Sequence, residues 1–105
     1  MAVVNLSGTA SYPAIKKLSS VGTTQQEITL PAGKLTVSVG SSTAVIDVCT
    51  SGVTDGAAMP TDKVFVPSGN LLSLNFGHSS GDKVNKIAVA AQTGTADIVV
   101  VIERG

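Results

Sequence analysis

Turn signals recur along this chain at intervals that leave room only for short strands. Glycine-containing turns lie at residues 31–33, 40–42, 67–69 and 92–95. The segments between them alternate, as in Lys34 to Val39, where Leu35, Val37 and Val39 share one face. No segment has the spacing of an amphipathic helix, and turns about 8–12 residues apart are typical of β-sandwiches and barrels.

The composition agrees with an all-β fold. Valine occurs 15 times, whereas only three residues are aromatic, and β-branched side chains favour pleated strands. A length of 105 residues corresponds to a single domain, residues 1–105. We expect an antiparallel β-sandwich of about eight short strands, with a jelly roll as its most specific form. A small closed barrel is the alternative.

Three pairs of neighbouring segments have the pattern of β-hairpins. Glu27 to Leu30 and Lys34 to Val39 flank a Pro-Ala-Gly turn, which is the clearest of the three. Thr43 to Cys49 follows as the partner of a second hairpin, and Lys83 to Ala91 with Ala96 to Glu103 forms the last. We therefore expect neighbouring segments to pair within one sheet.

The same alternation predicts which side chains form the core. The inward-facing residues are expected to include Val37, Ile46, Val66, Leu74, Ile87 and Val100. Phe65 and Phe76 also fit a core better than an exposed binding platform, which makes a carbohydrate-binding module less favoured.

One segment near the C-terminus is apolar on both faces. It consists of Ile98, Val99, Val100, Val101 and Ile102. An exposed strand of this kind is prone to aggregation, so both of its faces need cover. We expect it to contribute to an interface between subunits of a homo-oligomer, with a trimer favoured. The alternative is a central strand with one face covered by a loop of the same chain.

Charge and hydropathy exclude several partners. Seven basic and seven acidic residues cancel, so no basic surface for nucleic acid is expected. No apolar stretch is long enough for a membrane helix, and the N-terminus lacks the features of a secretory signal. The single cysteine, Cys49, excludes an intrachain disulfide and fits synthesis in a reducing cytoplasm.

Chemistry-bearing residues are too few and too scattered for a recognisable active site. His78 and Cys49 are the only histidine and cysteine, which does not meet the ligand needs of zinc. No nucleophile elbow, phosphate-binding loop or clustered carboxylates occur. We expect no catalytic residues, no metal and no cofactor, so the protein is predicted not to be an enzyme.

Two polar segments are the expected contact loops. Residues 50–61 and 77–82 are rich in Gly, Ser and Thr, and loops on a rigid scaffold commonly carry binding. The predicted partner-contact residues are Thr54, Asp55, Gly56, His78, Ser79 and Ser80.

These features together resemble a known class of protein. A Val/Thr/Ser/Gly-rich sandwich without net charge or a cysteine framework, ending in the apolar strand Ala96 to Glu103, is similar to small accessory proteins of tailed-phage virions. Capsid decoration or cement proteins are the nearest in kind. The resemblance implies a virion location, a trimer and binding to the major capsid protein. The alternative is a tail or fibre-associated module that contacts a host-surface glycan or receptor.

Overall fold

The fold is all-β in a computed structural model that describes residues 3–76 and 85–104. Within these residues nine strands form: β1 (Val4–Asn5), β2 (Ala14–Val21), β3 (Gln26–Leu30), β4 (Leu35–Gly40), β5 (Ile46–Cys49), β6 (Val64–Val66), β7 (Leu71–Phe76), β8 (Asn85–Ala91) and β9 (Ala96–Arg104). A helix that could cross a membrane was not found in the described part of the chain.

The strands form two sheets that pack as a sandwich. Sheet A has the order β1-β3-β8-β5-β6 and sheet B the order β2-β9-β4-β7. All neighbours are antiparallel except the short β1, which runs parallel to β3. The pairs β2–β9, β3–β8, β4–β7 and β5–β6 are nested, which is the connectivity of a jelly roll. The predicted sandwich and its jelly-roll form are therefore confirmed.

The three expected hairpins are wrong. Neighbouring strands β3 and β4 lie in different sheets, as do β4 and β5, and β8 and β9. The turn at residues 31–33 therefore carries the chain from one sheet to the other. A short Gly-containing turn can serve either purpose, and the partner of each strand is set by packing that local sequence does not encode.

The core lies between the two sheets. Five of the six predicted core residues, Val37, Ile46, Val66, Ile87 and Val100, are 0–3% exposed. Leu74 also faces inward, opposite Val37, but is only partly buried. The alternation of β3, β4 and β9 therefore identifies the inner faces correctly, while β7 has less cover than expected.

Strand β2 contains a bulge near its C-terminal end. Its register to β9 shifts between Leu18 and Val21. Ser20 has a positive φ of 55° at this point, and its N–H donates a hydrogen bond of 2.9 Å to Oδ1 of Asp97. The bulge interrupts regular pairing at the outer edge of sheet B.

Candidate functional site

The doubly apolar strand is the second strand of sheet B, between β2 and β4. Ile98, Val100 and Ile102 point into the core of the same chain and are 0–1% exposed. Val99 and Val101 point to the outer face of the sheet and are only partly buried. One face of the segment is thus covered internally. An intersubunit contact through β9 is open only to Val99 and Val101.

These two valines belong to a larger apolar surface, here called the outer apolar patch. Ile15 on β2 lies beside Val101, while Val99 is separated from Leu71 only by Gly40. Ile15 is 69% exposed and Leu71 is 57% exposed. The outer apolar patch consists of Ile15, Leu71, Val99 and Val101. Ile15 and Leu71 were not predicted as site residues, because no sequence pattern showed which strands flank β9.

Small side chains surround the outer apolar patch, so its apolar residues are not covered by their neighbours. Ser38 and Ser73 continue the row of Ile15 and Val101, and their hydroxyls are 3.0 Å apart. Gly40 lies between Val99 and Leu71, where a shallow cavity of 130 Å³ opens. A surface that alternates exposed apolar side chains with small ones suits close contact with another protein.

The sandwich is also open along one side, where β6 ends sheet A and β7 ends sheet B. Val64 faces inward, opposite Val48, yet is 53% exposed. Leu72 and Leu74 of β7 also face the core and are only partly buried. A cleft of 310 Å³ lies between these side chains. We call this region the open side.

Phe65 lies on β6, next to Val64, but on the opposite face of the strand. It is 61% exposed, so its assignment to the core is wrong. The physical reason is that it faces outward from β6, a strand of three residues at the edge of sheet A. Phe76 faces inward opposite Leu35 and packs against the core, as expected.

The loop at residues 50–61 is held against Gln25, the residue just before β3, and against Glu27 within β3. The buried Gln25 side chain donates to the Ala58 oxygen at 3.0 Å and accepts from the Thr54 N–H at 2.8 Å. Its backbone exchanges two further bonds with Gly56 and Ala57. This clamp fixes the conformation of the loop. Nothing in the sequence singled out Gln25, because a buried amide is recognisable only from its partners.

The predicted contact residues of this loop have different roles. Thr54 and Gly56 are exposed, and Gly56 has a φ of 82°. Asp55 is partly buried, and its Oδ1 accepts a 2.9 Å hydrogen bond from the Glu27 N–H. The carboxylate of Asp55 therefore anchors the loop. The other predicted contact residues, His78, Ser79 and Ser80, lie outside the described residues.

Titratable side chains of the described region do not converge. Burial raises the pKa of the Cys49 thiol, partly opposed by a backbone hydrogen bond at Ala88. Asp47 is buried in the same strand, and its Oδ2 lies 3.7 Å from Nζ of Lys63. Residues 3–76 and 85–104 contain no group of three or more His, Cys, Asp or Glu that could hold a metal ion.

The chain matches no protein-family model, no curated protein and no solved structure. The features of the chain that bear on its function are therefore its surfaces. The outer apolar patch and the open side are both suited to protein contact. The clamped loop presents Thr54 and Gly56 on a fixed scaffold.

Proposed function

We propose that this protein is a non-catalytic capsid decoration protein that binds the assembled lattice of a major capsid protein. The outer apolar patch carries the proposal. Exposed Ile15 and Leu71 flank two partly buried valines on one face of sheet B. Contiguous exposed apolar surface of this kind marks protein interaction sites. The virion setting comes from the resemblance of the sequence to tailed-phage accessory proteins.

The edges of the outer apolar patch have the character of an interface rim. Lys17 pairs with Val99 at one end of the face, and Glu103 pairs with Thr36 at the other. Interfaces commonly combine an apolar centre with a charged or polar border. Because the chain has no net charge, binding depends on contact with the lattice more than on long-range attraction.

A lattice partner explains how a small patch could be sufficient. Many identical sites on a shell raise the effective concentration of every bound copy when copies also contact one another. Modest affinity at each site then gives strong retention. The clamped loop with Thr54 and Gly56 is proposed as a second contact with the lattice.

The test is co-sedimentation with shells assembled from the major capsid protein of the same virus. We expect saturable binding by the wild type and a loss of about tenfold or more in affinity for Ile15→Lys. Val3→Lys is the matched control, because Val3 is also exposed, at 43%, but lies next to β1 in sheet A. No binding by the wild type, or equal binding by both variants, contradicts the proposal.

The exposed ring of Phe65 favours a second candidate, a tail or fibre-associated module that binds a host-surface glycan. Aromatic rings can stack on sugars, and Phe65 is 61% exposed. Glycan-array binding that is lost in Phe65→Ala and kept in Ile15→Lys would replace the capsid proposal. No glycan binding by the wild type removes this candidate.

A further inference from the structure

The two edges of sheet B differ in how they are protected. On β2, Lys16 lies opposite Val100 and thus occupies a core-facing position, although its side chain is exposed. Lys17 follows it, and the bulge at Ser20 interrupts regular pairing. Inward-pointing charges and bulges are the devices by which proteins prevent strands from adding to a sheet edge.

The other edge, β7, has none of these devices. Its sequence from Leu71 to Phe76 contains no charge and no proline, and its pairing with β4 is regular over all six residues. No strand lies on its other side within residues 3–76 and 85–104. Core-facing Leu72 and Leu74 are only partly buried there. An uncharged edge with regular pairing and partly exposed apolar side chains can bind another strand or aggregate.

We propose that β7 pairs antiparallel with β7 of a second copy, which joins the two four-stranded sheets into one. The charge of the chain favours a second copy as the partner of β7. Each chain has zero net charge, and β7 brings no like charges together when it meets itself. The same contact through β2 would place the Lys16 and Lys17 side chains of both copies side by side.

A second copy also covers the apolar side chains that are only partly buried at the open side. Residues directly opposite in an antiparallel pair point to the same face, so the core-facing leucines of the two β7 strands meet at the junction. The pairing is then centred on a residue, which keeps both inner faces on one side, and centring it on Ser73 or Leu74 pairs the most residues of the six in β7. Val64, 53% exposed, lies on β6 at the same side of the sandwich.

This inference goes beyond the proposed function, because it uses an edge and not the outer face. The first experiment is light scattering over a wide concentration range. We expect a mass twice that of the 10.5 kDa chain at high concentration. Leu72→Lys copies the Lys16 device onto β7 and should give a monomer. Ser73→Lys, at an exposed position, should weaken the dimer in a salt-dependent manner.

Ile15→Lys is the matched control and should leave the dimer intact while reducing lattice binding. Far-UV circular dichroism establishes whether each variant is folded. If Leu72→Lys does not fold, the mass of Ser73→Lys is the test of β7 pairing. Amide hydrogen exchange supplies a readout on the wild type itself: residues 71–76 should gain protection as the dimer forms.

Four results overturn the proposal. They are a wild type that stays monomeric, a dimer that both folded β7 variants retain, β7 amides that exchange equally fast in monomer and dimer, and a mass of three chains. The last result would agree with the homotrimer expected from the sequence, which remains a prediction.

Discussion

The backbone oxygen of Asn70 lies where a side chain on Gly40 would begin. The two residues are adjacent because Gly40 pairs with Leu71 across β4 and β7, and the Leu71 side chain is also close to this point. The contact brings the turn before β7 down onto β4. It therefore sets the position of Leu71 within the outer apolar patch.

Gly40→Ala should lower the free energy of unfolding by about 1–3 kcal/mol, because an added methyl group must displace backbone. Gly22→Ala is the matched control, since a Cβ there has no atom within 4 Å. Chemical denaturation measures both. Equal stability of the two variants would show that the Asn70 turn moves aside freely.

Gln25→Ala should release the loop at residues 50–61. The variant loses the hydrogen bonds to Thr54 and Ala58, at a cost of about 1–3 kcal/mol. Amide exchange should rise in the loop and remain slow in β9. Thr54→Ala is the control, because the Thr54 bond uses the backbone N–H. If the loop stays protected in Gln25→Ala, its backbone bonds alone hold it.

The sequence pattern predicted which face of each strand is buried much better than which strands pair with one another. Alternation in β4 identified Val37 as a core residue because period two follows directly from the strand backbone. It could not show that Ile15 lies beside Val101, since those residues meet only through the pairing of distant strands. The exposure of Phe65 was missed for the same reason: a strand's position at a sheet edge depends on the whole topology.

Lys63→Ala should destabilise the fold more than Lys86→Ala. Lys63 lies 3.7 Å from the buried Asp47, whose Oδ1 has no hydrogen-bond partner among the described residues. Lys86 lies 3.9 Å from Glu27, whose side chain is 14% exposed against 7% for that of Asp47. Removing the partner of the more deeply buried carboxylate leaves a charge that water compensates less. Thermal unfolding of the two variants gives the comparison, and equal midpoints would contradict it.

The Cys49 thiol should be unreactive in the folded protein at neutral pH. Burial raises its pKa, and the protonated thiol is a poor nucleophile. The raised pKa also makes stability depend on pH, because the folded protein keeps the Cys49 proton more tightly than the unfolded chain does. The stability that this proton contributes is fully present below the ordinary pKa of 9.0 and is lost as the pH rises through the folded value. Thiol labelling with and without denaturant measures the first effect. Rapid labelling without denaturant would show that the site opens readily.

Lys16→Leu should allow the β2 edge to associate with other copies of the chain. The substitution removes the inward-pointing charge opposite Val100 and leaves a leucine at an exposed core-facing position. We expect concentration-dependent association beyond that of the wild type, with no loss of thermal stability. Lys34→Leu, at an exposed position outside both β2 and the outer apolar patch, is the control. Sedimentation velocity distinguishes them, and identical profiles would show that the bulge alone protects this edge.

The nested pairing has a consequence for how the chain folds. Ala14 pairs with Ile102, so the strand between β2 and β4 in sheet B comes from the far end of the chain. Contacts between such distant residues demand the closure of long loops before they stabilise anything, and folds dominated by them fold slowly. During synthesis, β2 and β4 therefore cannot be joined in one sheet until β9, the strand between them, has left the ribosome.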